Sequence, residues 1–193
     1  PEVVSVLVEK ARNKIDFEAQ TTNGGTPLLI ACQHGHTQVV SLLLDKARGN
    51  INVNRAETTS GFTPLLIACQ NGHAEVVSVL LDKARDTIDV NKAETRSEGT
   101  PLYIACQHGR AEIVSLLLDK ARKTIDVNQA ETKEGMTPLC IACQQGHVEV
   151  VSVLLDKARD TINVNKVFTE IGGTPLFMAC QNGHAEVVSV LLD

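Results

Sequence analysis

The chain has 193 residues, 43% of them hydrophobic but only 3% aromatic, and its 18 Lys and Arg stand against 23 Asp and Glu for a formal charge of −5. Acidic and basic residues are interspersed, Trp is absent and Tyr103 is the only tyrosine, which excludes both the basic footprint and the stacking platforms of a nucleic-acid binder. No apolar run approaches the roughly 18 residues of a membrane-spanning helix, and the first residues lack a charged-then-apolar secretory pattern.

Self-similarity organises everything else. Thr-Pro-Leu begins at Thr26, Thr63, Thr100, Thr137 and Thr174, each 37 residues after the last. In chain order this gives a partial repeat 1–25, four full repeats 26–62, 63–99, 100–136 and 137–173, and a partial repeat 174–193, all within a single array 1–193. Residues 2–25 match the second helix and connector of the later copies with one residue missing, and residues 174–193 stop inside a second helix. Both ends cut through a repeat, so the chain is expected to be a fragment of a longer array.

Within the repeat 63–99, Thr63 is suited to cap a short first helix and Pro64 to open it, because proline lacks the amide hydrogen that would be orphaned there. Gly72 ends that helix. A second helix follows, with Val77, Leu80, Leu81 and Ala84 at i, i+3, i+4 and i+7 forming an apolar stripe, and Lys83 and Arg85 near its partially negative end. The tail Ile88–Gly99 alternates apolar residues and then fills with turn formers, which predicts an extended, hairpin-like finger. One such unit cannot enclose an apolar face alone, so the units must stack into an all-α solenoid in which each covers its neighbour.

Thr-Pro-Leu, an Ala pair, Gly-His, Glu-Val-Val, Leu-Leu and Asp-Val-Asn recur in the order of the ankyrin repeat, which the chain resembles over its whole length. That resemblance implies a non-catalytic module that binds a protein partner on its concave face, lined by finger tips and the ends of first helices. Three departures stand out. The unit is 37 residues long where the family has 33, with about three of the extra residues in Lys83-Ala-Arg-Asp-Thr. The usual His after Thr-Pro-Leu is Leu29, Leu66, Tyr103, Cys140 or Phe177, an apolar contact in its place. The second Ala of the pair is Cys32, Cys69, Cys106, Cys143 or Cys180.

Cys-x-x-x-His recurs at Cys32/His36, Cys69/His73, Cys143/His147 and Cys180/His184, but two ligands per unit do not make a four-coordinate zinc site and stacked helices lie about 8–10 Å apart. That spacing also exceeds the roughly 7 Å between Cα atoms that a disulfide tolerates. No metal and no cofactor are therefore expected, and buried reduced thiols point to a reducing, intracellular and cytoplasmic setting. Cys140-Ile-Ala-Cys143 is formally C-x-x-C, yet Cys140 shares a column with Leu, Tyr and Phe and reads as packing. Asp82–Arg85 and its copies read as a solvated face with Asp-to-Arg pairs at i, i+3. No phosphate loop, nucleophile elbow or unrepeated base is present, so no enzymatic role is expected.

A site is then to be sought where the copies differ. Finger residues Phe62, Arg96, Met136, Phe168 and Ile171 vary, and four of them are large and apolar in segments expected to be exposed. A second variable column, His34, Asn71, His108, Gln145 and Asn182, follows a constant Gln that is expected to form a ladder between repeats. Together these ten residues form the expected partner-binding surface. Two other readings stand beside it: a passive spacer or elastic solenoid, and a substrate for asparagine hydroxylation at Asn54, Asn91, Asn128 and Asn165, which resemble the asparagines modified in some ankyrin repeats. Uncapped apolar ends also raise end-to-end self-stacking.

Overall fold

A computed structural model describes residue 3 and residues 15–47, 49–95, 99–131, 133–168 and 172–193. Ten helices occur among them: α1 (Pro27–Gln33), α2 (Thr37–Ala47), α3 (Pro64–Asn71), α4 (Ala74–Lys83), α5 (Pro101–Gln107), α6 (Ala111–Lys120), α7 (Pro138–Gln145), α8 (Val148–Lys157), α9 (Pro175–Gln181) and α10 (Ala185–Leu192). First helices pack on first helices, second helices on second helices, and each pair on itself, giving two layers of helices that advance unit by unit. The second helix expected at the start of the chain lies outside the described residues.

Local chemistry accounts for each element. In all five first helices the threonine Oγ1 accepts the amide of the residue three places on, at 3.2 Å, and proline follows at the first helical position. Each helix pair meets at a glycine, Gly35, Gly72, Gly109, Gly146 or Gly183, with φ between +68° and +83°. The stripe of α4 is buried throughout, at Val77, Leu80, Leu81 and Ala84. Leu28, Leu65, Leu102 and Leu139 from the first helices complete a core that runs through every unit.

Among the polar links between successive units, three recur in register. The main-chain carbonyl of Gln33 accepts from His73 Nε2 at 3.1 Å, that of Gln107 from His147 at 3.1 Å and that of Gln144 from His184 at 2.9 Å. A carbonyl only accepts, so Nε2 carries the proton in each. Gln70 receives Arg110 Nη2 at 3.3 Å instead, which explains how the series survives an arginine in the histidine column. The expected glutamine ladder therefore runs through backbone oxygen. The imidazole also lies against the glycine of the preceding unit: a Cβ on Gly109 would stand 2.9 Å from His147 Nδ1, so this glycine serves both the reversal and the ring.

Asparagine forms the second link. Asn54 Nδ2 donates to the Thr87 carbonyl at 2.6 Å while its Oδ1 accepts the Asp89 amide at 2.7 Å; Asn91 and Asn128 repeat the pair one and two units on. The third link is ionic and corrects the expected Asp-to-Arg pairs within a helix: Lys83 reaches Asp45, Lys120 reaches Asp82 and Lys157 reaches Asp119, at 2.5 to 2.6 Å. A lysine that has to bridge to the neighbouring helix gains a partner placed by packing. The neighbouring arginine instead sits past the helix end, in a turn.

Candidate functional site

The fingers are tighter than a free hairpin. Glu57 N donates to Phe62 O, Glu94 N to Gly99 O, Glu131 N to Met136 O and Phe168 N to Gly173 O, at 2.9 to 3.2 Å. Fingers also bond to one another, Thr58 N to Asn23 O at 3.0 Å and Thr95 N to Ser60 O at 3.1 Å. Inside the turn the Glu57 carboxylate accepts the amides of Thr59 and Ser60 and the Ser60 hydroxyl. Burial opposes its ionisation, but those bonds, with a longer one from the Phe62 amide, outweigh it and hold the Glu57 carboxyl down at about 2. The Glu131 carboxylate accepts the amides of Lys133, Glu134 and Met136 in the same way.

This architecture corrects two of the expected contact residues. Met136 is 4% exposed and Phe168 is 6% exposed, so both pack into the core rather than projecting from the fingers. The reason is the closing hydrogen bond, which folds the finger back over the first helix. Phe168 takes the column held by Glu131 and lies across Gly173, which takes the column held by Met136; a Cβ on Gly173 would come within 2.5 Å of its ring. One large side chain fills the same space from either column. Arg96 and Ile171 lie outside the described residues, and Phe62 is half-buried.

The variable column fares differently. His34, Asn71, His108, Gln145 and Asn182 are all exposed at the ends of the first helices. Part of their hydrogen bonding is engaged at home: Asn71 Nδ2 donates to Gln33 O at 2.9 Å, His108 Nδ1 lies 3.0 Å from Ile104 O, and Asn182 Nδ2 donates to Met178 O at 2.9 Å. His34 stacks on His36 with centroids 5.9 Å apart. Two grooves open beside this column where finger meets first helix. One, of about 380 Å³, has Leu29, Ile30, Phe62 and Ile67 beside Gln33 and Glu57; the other, of about 250 Å³, has Tyr103, Met136 and Ile141 beside Gln107, Gln144 and Gln145. Sequence reasoning missed Ile30, an isoleucine of the first helix left 38% exposed. It occupies a column that is apolar in every unit, so no variation marked it.

Chemically reactive groups are held quiet. All six cysteines are free thiols; Cys32, Cys69, Cys106, Cys140 and Cys143 are buried and Cys180 is exposed. Burial pushes Cys32, Cys69 and Cys106 far up and Cys143 up to about 12, with Cys140 beside it adding to the rise. Cys140 is raised as well, again by burial, and its Sγ faces the Lys166 carbonyl at 3.9 Å as a packed side chain. Among the described residues no group of three or more His, Cys, Asp or Glu is placed to hold a metal ion, and no helix is long and apolar enough to cross a membrane.

Helix pairs stacked in two layers, joined by looped fingers and packed on neighbouring pairs, define a helical repeat solenoid. The family described as ankyrin repeats, in three copies, matches residues 1–94, 51–131, 86–166 and 123–193, and the chain belongs to the ankyrin-repeat family. Comparison with curated proteins returns no match. Ankyrin repeats are generally protein–protein interaction modules and typically non-catalytic.

Proposed function

We propose that this chain is one continuous array that holds a protein partner on the face formed by finger bases and first-helix ends, without catalysing a reaction. The observation that carries the reading is the placement of the two grooves, each with apolar side chains beside the constant glutamine that precedes the variable column, the second also lined by exposed Gln145 of that column. A partner segment laid along that face finds apolar sockets and polar contacts in a frame fixed in advance by the links between units, which lowers the entropy cost of binding. His34, Asn71, His108, Gln145 and Asn182 remain proposed contacts, joined by Ile30 and Phe62. Arg96 and Ile171 are proposed on sequence alone.

The test is affinity capture from a cell extract with the whole chain and with a variant carrying Ile30→Ala, Phe62→Ala and Gln145→Ala, its helix content checked by circular dichroism. At least one captured protein is expected to fall about tenfold on the variant, a loss on the order of 1.4 kcal/mol. Equal capture of every protein by both chains defeats the reading. Capture of nothing favours the spacer, which the uniformity of the links between units supports.

Asparagine hydroxylation is weighed against by the paired hydrogen bonds of Asn54, Asn91 and Asn128, whose amides are already engaged by the next unit. An intact mass with added oxygen would restore it. The buried thiols support a reducing, cytoplasmic setting.

A further inference from the structure

The residues by which this repeat exceeds the usual family length build a second surface, separate from the one proposed above. After α4, α6 and α8 the chain makes an extra turn: Ala84 O accepts from Thr87 N, Ile88 N and Thr87 Oγ1 at 2.9, 2.8 and 3.2 Å, and Ala121 and Ala158 do the same for Thr124/Ile125 and Thr161/Ile162. The turn carries Arg85-Asp86, Arg122-Lys123 and Arg159-Asp160 into solvent and leaves a groove between successive units.

Between the repeats 63–99 and 100–136 that groove measures about 600 Å³, within the roughly 300–1,000 Å³ typical of ligand clefts. Buried Leu81 and Val90 and half-buried Ile88 line it at depth, and exposed Arg85, Arg122 and Lys123 stand at its rim. Equivalent columns, Leu118, Arg122, Ile125 and Val127, then Leu155, Arg159, Ile162 and Val164, line the next two grooves. None of the three is lined by a first helix or a finger tip.

Charge separates the first groove from the rest of the molecule. The lysines at the ends of the second helices, Lys83, Lys120 and Lys157, are engaged with Asp45, Asp82 and Asp119. Arg85, Arg122 and Lys123 form no ion pair among the described residues, and of the acids lining the groove only Asp86 is likewise unpaired there. Three cations less one acid leave a local surplus of two positive charges in a chain whose net charge is −5.

We propose that this groove docks an acidic, partly aliphatic peptide segment, its carboxylates paired with Arg85, Arg122 and Lys123 and one apolar side chain seated over Leu81 and Ile88. Guanidinium groups favour carboxylates through paired, planar hydrogen bonds. The apolar lining has no use for an inorganic anion, and the groove has no aromatic residue on which a nucleobase could stack.

The experiment pans a phage library of random dodecapeptides against the whole chain and, in parallel, against a variant with Arg85→Ala, Arg122→Ala and Lys123→Ala. These side chains are exposed and make no hydrogen bond within the described residues, so the variant is expected to keep its fold, which circular dichroism verifies. Peptides selected by the native chain are expected to combine Asp or Glu with Leu, Ile, Val or Met, to bind the triple variant about tenfold more weakly, and to bind a Phe62→Ala variant unchanged. That last arm keeps this surface distinct from the one built on the fingers. Selections of the same composition from both chains, or none favouring the native chain, overturn the proposal. A mixed-sequence single-stranded oligonucleotide that binds with equal dependence on the three cations overturns it too, because the groove would then be a general polyanion surface.

Discussion

The contact between Gly109 and His147 joins two units through one glycine and one ring, and a double-mutant cycle measures it. Gly109 has φ +68°, where an added Cβ costs about 1–2 kcal/mol. That Cβ would also meet His147 Nδ1 and Cε1 at 2.9 Å, so the ring must swing away and give up its 3.1 Å bond to the Gln107 carbonyl, worth about 1 kcal/mol. Gly109→Ala is therefore expected to cost about 2–3 kcal/mol and His147→Ala about 1 kcal/mol. In the double variant the ring is already gone and only backbone strain adds, so the pair is expected to cost about 1 kcal/mol less than the sum of the singles. Urea unfolding followed by far-ultraviolet circular dichroism and analysed as a nearest-neighbour array gives all four free energies. Additivity to within about 0.3 kcal/mol would refute the claim that glycine and ring act as one contact.

The Glu57 carboxyl lies below its ordinary value of 4.5, at about 2, so the stability it contributes is complete above 4.5 and is lost as pH falls toward 2; Glu57→Gln should flatten that part of a urea-midpoint profile against pH, and an unchanged slope speaks against the turn. Lys120→Ala is expected to cost well under about 1 kcal/mol, and the loss should shrink further in molar salt, because Asp82 and Lys120 are both partly solvated; a larger, salt-insensitive loss in thermal melts contradicts this. An aromatic disulfide reagent should titrate one thiol, Cys180, in the native chain and all six after unfolding, and rapid reaction of more than one contradicts the burial of the rest. Restoring the neighbouring pattern with Phe168→Glu and Gly173→Met together should cost less than Phe168→Glu alone, since Met can occupy the space the ring leaves; equal melting points for the two variants would count against it.

Threonine caps, proline starts, glycine reversals and the stripe through Val77 and Ala84 were legible because each is fixed by a local rule and repeated in register. Links between units were not, because a repeated residue names a side chain but not the atom that bonds. The constant Gln turned out to act through its main-chain oxygen, and Asp82 found its lysine one unit away rather than its arginine one turn away. Met136 and Phe168 were misplaced because a finger closed by its own backbone hydrogen bond turns these side chains inward. A signal for that was present: Glu131/Met136 and Phe168/Gly173 exchange their large residue between two columns, as groups filling one space do. Of the expected site, the polar column lies exposed, whereas Ile30 stayed hidden because only its solvent exposure, not its type, distinguishes it.

Each of the units 26–62, 63–99 and 100–136 offers forward a glutamine carbonyl, an asparagine amide and an aspartate carboxylate, and the next unit receives them with groups at fixed places. An in-frame copy or deletion of 37 residues therefore rejoins matching surfaces and strands no donor or acceptor. Unequal recombination can change the length of such a molecule in a single event, with no compensating substitutions. Its reach is then inherited as a copy number, and its selectivity as the few positions at which the copies have drifted apart.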